Sequence, residues 1–151
     1  MTELDKLSPN FTLEEFIHSD TAMRLSIDQT PSPLVLQALT ATAKQLEGVR
    51  DLLGNAPIYI SSGYRSYALN KAIGGSPNSD HLDGWAVDFT APRYGNPQQI
   101  CKAIANAYSL SFSQCIYEGR WVHISFRPTG KRQVLTAHFA PGKTTYSEGI
   151  A

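Results

Sequence analysis

An acidic residue, Asp88, stands inside the otherwise apolar segment 86–89, and a histidine, His123, stands inside the largely apolar segment 121–126. Successive side chains of a β-strand point to opposite faces of its sheet, so each segment can bury apolar side chains on one face and present its polar one on the other. A carboxylate inside a sheet needs a charged partner, a hydrogen bond or a metal to compensate for its burial. The two segments therefore predict strands whose ionisable residues point away from the core.

Three helices are indicated by their capping signals. Thr12 and Glu15 form a capping-box pattern that predicts a short helix, and Ser32-Pro33 predicts the start of a long helix that ends at Gly54. Asn96-Pro97 predicts the start of a further helix. Each helix is expected to turn its apolar residues towards one core.

Short apolar or alternating segments between these helices predict the strands of a sheet. We expect strands at 58–60 and 86–89, a hairpin formed by 114–117 and 121–126, and a weak strand at 133–137. The predicted fold class is α+β, with a small, mainly antiparallel sheet and flanking helices.

Length and charge favour a single domain that acts as a monomer. The chain has 151 residues and a formal net charge of +0, so no overall field would attract nucleic acid or an anionic membrane. The segment 1–6 lacks the basic and apolar regions of a signal peptide, and no apolar run is long enough for membrane insertion, so we expect cytoplasmic synthesis. Residues from about 139 to 151 are expected to form a loose tail.

Two cysteines, Cys101 and Cys115, are too few for a disulfide framework. They lie in segments that we expect to be a buried helix and a buried strand. We therefore predict that both are small core residues rather than a disulfide or metal ligands.

The residues His81, Asp88 and His123 form the most informative constellation. Two histidines and a carboxylate are a set of ligands that catalytic zinc sites use, with a fourth position left open. Gly84 allows the loop after His81 to turn this histidine back towards Asp88. From spacing alone, however, capped loops and hydrogen-bonded core histidines explain these residues better than a metal site does.

The stretch Ser79-x-His81-x-x-Gly84-x-Ala86-x-Asp88 resembles the signature of the zinc D-Ala-D-Ala carboxypeptidase and dipeptidase family, which is structurally related to the hedgehog amino-terminal domain. Segments 62–66 and 121–125 resemble two further blocks of that family in the same order. The similarity runs from about 58 to 126, within an expected catalytic core of about 55–127. In the N-terminal segment, about 1–30, residues 7–28 resemble a segment of phage-borne and prophage members.

The resemblance implies that one zinc ion per chain is bound by His81, Asp88 and His123. It places Arg65 where the family has an arginine that contacts the substrate and stabilises the developing oxyanion, with a surface salt bridge as the alternative. Ser79 is expected to hydrogen-bond to a ligand or to the substrate, or to be an ordinary loop serine.

Tyr64 and Trp121 are expected to line a groove for the substrate, or else to cover the core. Asp80 and Asp83 flank His81 in sequence, and each can accept a hydrogen bond from an imidazole N–H. We expect them instead to be solvated loop residues.

The general base is predicted at Glu118, in the turn of the hairpin that leads to His123, with a solvated turn glutamate as the alternative. Members of the family carry a glutamate three residues before the last ligand or a histidine two before it, whereas Arg120 and Trp121 occupy those positions here. Glu118 is the nearest acid, and hydrolysis requires a base within hydrogen-bond reach of the attacking water.

By this resemblance, the chain hydrolyses peptide bonds of peptidoglycan stem peptides as a carboxypeptidase or an endopeptidase. The phage-like start favours a lytic enzyme that reaches the cell wall after release. The alternatives are a domain that retains zinc for recognition, as in the hedgehog branch, and an interaction domain without a metal.

Overall fold

The computed structural model describes residues 5–129 and 131–151. Its first half contains β1 (Lys6–Ser8), β2 (Phe11–Thr12), α1 (Leu13–Ile17), α2 (Asp20–Arg24), α3 (Pro33–Leu52), β3 (Tyr59–Ser62) and α4 (Tyr67–Ala72). Its second half contains a 3-10 helix (Asp80–Asp83), β4 (Ala86–Thr90), α5 (Pro97–Asn106), β5 (Gln114–Tyr117), β6 (Val122–Ser125), β7 (Gln133–Ala140) and β8 (Lys143–Glu148).

The three helix starts predicted from capping signals are confirmed. In α1 the Thr12 side chain accepts a hydrogen bond from the Glu15 backbone and the Glu15 side chain accepts one from the Thr12 backbone, which forms a complete capping box. Ser32 caps α3, and Asn96 caps α5 through a second capping box. These bonds satisfy N–H groups that the first turn of a helix leaves without partners.

Six strands form the main sheet in the order β3-β4-β6-β5-β7-β8, while β1 and β2 form a separate antiparallel pair. Every neighbouring pair in the main sheet is antiparallel except β5 and β7, which run parallel. The predicted α+β fold with a mainly antiparallel sheet and flanking helices is therefore confirmed. The connection from β6 to β7 crosses β5, and it is this crossing that makes one pair parallel.

One face of the sheet packs against the long helices. Side chains at every second position of the central strands belong to one hydrophobic core with residues of α3 and α5; this core includes Val87, Phe89, Cys115, Val122, Ile124, Leu39, Leu46, Ile100 and Ile104, all fully buried. Burial of this apolar area is the main term that stabilises the fold.

The opposite face carries the polar side chains that the sequence singles out. Cross-strand register places Asp88 beside His123, His123 beside Ile116, and Ile116 beside Leu135. Since directly paired residues point to the same face, these four side chains form one row across β4, β6, β5 and β7. The row determines where the candidate site lies.

The predicted loose tail is wrong. The strand expected at 133–137 continues to Ala140, and Lys143–Glu148 forms β8, which pairs with β7 from Leu135 to Ala140. Every residue of β8 is exposed, so the segment has no apolar pattern that marks a strand in the sequence. The segment forms a strand because its backbone pairs with β7 through hydrogen bonds.

Cys101 and Cys115 are both fully buried and free, as predicted. A hydrogen bond with Cys101 and burial raise the pKa of the Cys115 thiol, so this sulfur is held in its neutral form. Among the described residues, none of the helices combines the length and apolarity that crossing a membrane requires.

Candidate metal centre

His81, Asp88 and His123 bring one ligand atom each to within 4.8 Å of one another. Asp88 Oδ1 lies 2.9 Å from His123 Nδ1 and 3.3 Å from His81 Nε2. Asp88 and His123 face each other across β4 and β6, whereas His81 comes from the 3-10 helix that precedes β4. The three side chains that the sequence grouped together therefore converge on one point.

The position of His81 depends on the turn that carries it. Ser79 caps the 3-10 helix by accepting a hydrogen bond from the His81 backbone, and Gly84 ends it with φ of 85°, a left-handed conformation that favours glycine. Adding a Cβ at Gly84 would also bring that atom to 3.0 Å from the carbonyl oxygen of Val35 in α3. The turn thus requires glycine both for its conformation and for its packing.

A hydrogen bond to the backbone determines the tautomer of His81. His81 Nδ1 lies 2.7 Å from the carbonyl oxygen of Gly63, and because a carbonyl only accepts, Nδ1 must carry the proton. Nε2 is buried and has no hydrogen-bond partner within residues 5–129 and 131–151. An imidazole fixed in this way presents the lone pair of Nε2, which is the arrangement that metal-ligating histidines share.

The electrostatics of the cluster also suit a cation. Burial favours the protonated acid at Asp88, but the neighbouring imidazoles of His81 and His123 outweigh it and hold the pKa of Asp88 well below its usual range. Burial favours neutral His123, but the hydrogen bond and charge of Asp88 raise its pKa. Two imidazole nitrogens and one ionised carboxylate fit the donor set of a zinc site that keeps a fourth position open.

Arg65 lies beside this cluster. Its Nη2 is 3.7 Å from Asp88 Oδ2, its Nε donates to Ser62 Oγ and its Nη1 donates to Asn70 Oδ1. Burial lowers the pKa of Arg65, while the charges of Asp88 and Glu118 oppose that effect. The guanidinium remains a cation and is held at the edge of the candidate site.

Glu118 also lies at the candidate site. It follows Ile116 by two residues, so it continues on the face of the sheet that carries His123, and it lines the same cavity as the three candidate ligands. Burial and the negative charge of Asp88 raise the pKa of Glu118, against the opposing effects of His123 and of the hydrogen bond that Trp121 Nε1 donates to the carboxylate. A carboxylate with a raised pKa accepts protons more readily, as a general base requires.

A cavity of about 440 Å³ surrounds the cluster. Of the residues predicted to contact substrate, Arg65, Ser79 and Trp121 line it, but Tyr64 does not. The Tyr64 ring packs against the core and borders a neighbouring depression beside α2. Tyr64 N donates to the carbonyl of Phe16, so the backbone at this point is bonded to α1.

Asp80 is not the solvated loop residue that we expected, whereas Asp83 is exposed, as expected, but is paired with Arg127. Asp80 accepts hydrogen bonds from Ser125 Oγ at 2.7 Å and from Arg127 Nε at 2.6 Å, and Asp83 accepts one from Arg127 Nη2. Neither acid supplies the acceptor for the His81 imidazole, which is the Gly63 carbonyl. Instead, they connect the turn that carries His81 to the end of β6.

Several residues of the site were missed from the sequence. Asn70, which contacts Arg65, is a buried amide in α4, and its place next to the apolar, buried Leu69 is the signal that could have identified it. Ile116 could have been found by extending the strand alternation back from Glu118. Leu135 and Tyr146, which also line the cavity, could not have been found, because their position depends on the parallel pairing of β7 with β5.

Comparison with known proteins agrees with this geometry. The family model described as peptidase M15 matches residues 9–125, a segment that contains all three candidate ligands, Arg65 and Glu118. The chain is also similar to the zinc D-Ala-D-Ala carboxypeptidase of Streptomyces albus G, with 37% identity over 78 residues, which cover 52% of this chain and 29% of that relative. The match over most of the chain confirms the predicted resemblance. This chain therefore belongs to the peptidase M15 family.

Proposed function

We propose that this chain is a zinc-dependent peptidase that hydrolyses peptide bonds in the stem peptides of bacterial peptidoglycan. The observation that carries the proposal is the buried Nε2 of His81, which lacks a hydrogen-bond partner among the described residues and faces Asp88 beside His123. The substrate class is supported by the relative, which is named a zinc D-Ala-D-Ala carboxypeptidase.

His81, Asp88 and His123 would hold the zinc ion, and the states of His81 and Asp88 suit that task. His81 presents Nε2 because Gly63 holds the proton on Nδ1, and Asp88 is ionised because two imidazoles surround it. A bound zinc ion supplies Lewis acidity, which lowers the pKa of a water molecule and polarises the carbonyl of the scissile bond.

Glu118 acts as the general base and then as the general acid. Its carboxylate takes a proton from the attacking water as the new C–O bond forms, and it returns that proton to the leaving amine when the C–N bond breaks. The hydrogen bond from Trp121 Nε1 orients the carboxylate towards the cavity. No covalent bond between enzyme and substrate is required.

Arg65 stabilises the negative charge that develops on the carbonyl oxygen. Its guanidinium is already held in place by Ser62 and Asn70, so little reorganisation accompanies the reaction. Ser79 and Trp121 line the same cavity and are proposed to contact the peptide.

The finer role that we propose is cleavage of the cell wall by a lytic enzyme of a phage or prophage, as a carboxypeptidase or as an endopeptidase. The segment 7–28, which resembles the start of phage-borne members, supports this role. Identification of the bond that is cut would distinguish removal of a terminal residue from cleavage within the stem peptide.

The test is mass spectrometry of the products released from purified peptidoglycan by the zinc-loaded protein. We expect new peptide ends that disappear with His81→Ala and that decrease about 100-fold or more with Glu118→Gln, which keeps the shape of the side chain but removes the base. Glu14→Gln, at an exposed position of α1, is the matched control and should retain full activity.

A folded, zinc-bound protein that leaves every stem peptide intact would instead identify a recognition domain. In that case Glu118→Gln would change neither zinc content nor binding to peptidoglycan. Circular dichroism and zinc stoichiometry of each variant separate loss of chemistry from loss of the fold or of the metal.

A further inference from the structure

We propose that the hairpin β7–β8 forms a specificity-determining wall of the cavity, in which Leu135 and Tyr146 contact an aliphatic side chain of the substrate next to the scissile bond. This inference rests on the proposed peptidase function and specifies one part of the peptide that the site selects.

The wall begins directly beside the candidate ligands. Ile116 is the cross-strand neighbour of His123, and Leu135 is the cross-strand neighbour of Ile116. The exposed fractions of the two side chains are 5% and 8%, and with Ala137 they form a small apolar cluster of their own, separate from the main core. Apolar side chains therefore continue the row on the face that carries the ligands, and both Ile116 and Leu135 line the cavity.

Tyr146 completes the wall from β8. It is paired with Ala137 and lines the cavity, yet 52% of the residue remains exposed. Burial of part of the ring and the negative charge of Glu118 raise the pKa of the Tyr146 phenol. The ring and the carboxylate of the proposed base line the same cavity. A half-exposed aromatic ring at the edge of a cavity gains burial when an aliphatic group packs against it.

The two ends of the cavity differ in chemistry. On the β3 side of the ligands lie the guanidinium of Arg65 and the polar side chains of Ser76, Asn78 and Ser79, whereas Leu135 and Tyr146 lie on the β7–β8 side. A peptide bound over the ligands would present one flanking residue to each end. An aliphatic side chain at the β7–β8 end would bury apolar surface against Leu135 and Tyr146, so we expect that end to take an aliphatic residue.

The hairpin lies outside the segment that defines the family match. The match covers residues 9–125, whereas Leu135 and Tyr146 belong to strands that follow it. The candidate ligands, Arg65 and Glu118 thus lie in the matched segment, whereas the proposed wall comes from a later segment of the chain.

The test measures kcat/KM for Nα-acylated peptides in which each residue flanking the scissile bond is in turn glycine, alanine or valine, in D and L forms. We expect the unaltered protein to prefer the aliphatic residue on one side of the bond, by about fourfold for each methyl or methylene group buried. Tyr146→Ala should reduce that preference severalfold, because the aliphatic peptides lose a contact that the glycine peptide does not make.

Phe139→Ala is the matched control. Phe139 is an aromatic residue of the same hairpin, at an even spacing from Leu135 and thus on the same face, with 59% exposure, but it does not line the cavity. This variant should retain the full preference. Leu135→Ala should reduce the preference as Tyr146→Ala does, and its thermal unfolding is measured in parallel because the residue is buried.

If Tyr146→Ala changes kcat/KM equally for glycine and aliphatic peptides, or changes neither, the proposed wall is contradicted and the proposed peptidase function is not. The absence of turnover with any peptide would instead count against the proposed function. Calorimetric titration of the same peptides into zinc-loaded Glu118→Gln, with and without Tyr146→Ala, then tests the wall by affinity alone. Equal affinity of Glu118→Gln and of the double variant for the aliphatic peptide would also contradict the proposed wall.

Discussion

At the scale of single residues, Asn70 determines where the guanidinium of Arg65 lies. Asn70 is 3% exposed; its Oδ1 accepts from Arg65 Nη1 at 3.1 Å, and its Nδ2 donates to the carbonyl of Ser76 at 2.9 Å. Gly75 leaves the space for this amide, because a Cβ there would lie 2.1 Å from Asn70 Oδ1. A guanidinium held by a buried amide is oriented before substrate arrives, which is how an enzyme reduces the entropic cost of its transition state.

Replacing Asn70 with alanine should therefore lower kcat about tenfold with a smaller effect on KM, since a misoriented Arg65 costs less than the roughly 100-fold typical for removal of an oxyanion donor. The measurement is a double-mutant cycle with Arg65→Ala. The two effects should be less than additive, because Asn70 acts through Arg65. Asn106→Ala, at the exposed end of α5, is the control, and additive losses in the cycle would contradict the positioning role.

At the scale of elements, Asp80 joins the two segments that carry the histidine ligands. It precedes His81 in the 3-10 helix, and its carboxylate accepts a hydrogen bond from Ser125, which stands two residues after His123 in β6. Arg127 supplies a second hydrogen bond to the same carboxylate. The separation of His81 from His123 is thus maintained by a bond between their elements as well as by the backbone.

For this reason, Asp80→Ala should weaken zinc affinity by about tenfold or more, which is the usual effect of losing a residue that supports the ligands. Competition with a chelating dye measures the affinity directly. Asp83→Ala is the matched control, because Asp83 contacts the same arginine but has no hydrogen bond to β6 among the described residues, and its effect should be much smaller. Equal losses in both variants would indicate that only the charge near His81 matters.

At the scale of the whole molecule, residues 13–29 pack against the loop that follows β3, and this loop contacts the candidate ligand His81. Gly63 supplies the carbonyl that fixes His81, and a Cβ at this position would lie 2.4 Å from the carbonyl oxygen of Phe16 in α1. Gln29 joins the same surfaces, since its side chain donates to the carbonyl of Tyr64 and accepts from the backbone of Ser66. Residues 13–29 are therefore part of the structure that places the ligands.

Gly63→Ala is expected to lower the free energy of unfolding by about 1–3 kcal/mol, because the contact it overpacks is with backbone that cannot move independently. Thermal unfolding gives the stability, and zinc titration of the same variant should show weaker affinity.

Gly48→Ala provides an internal comparison, for which we expect a change in stability of opposite sign. Its added Cβ meets only Leu110 Cδ1 at 3.5 Å, and alanine within α3 should stabilise by about 0.5–1 kcal/mol. Unchanged stability in Gly63→Ala would contradict this prediction and would mean that α1 shifts to make room for the added methyl group without loss of free energy of unfolding.

The sequence alone determined the features that depend on neighbouring residues. The capping signals at Thr12, Ser32 and Asn96 located three helix starts, because capping bonds span only three residues. The alternation around Asp88 and His123 predicted that both side chains face away from the core, since the period of a strand is a local property. The motif that contains His81 and Asp88 identified the family, because it lies within one short stretch of chain.

The tertiary structure alone decided which distant residues meet. Gly63 fixes His81 across 18 positions of sequence, and Leu135 lines the cavity because β7 pairs parallel to β5. Each of these contacts depends on the closure of a long loop and on strand register, which a pattern of neighbouring residues does not encode. The strand β8 depends on the same pairing, and for that reason a segment without an apolar pattern became one wall of the site.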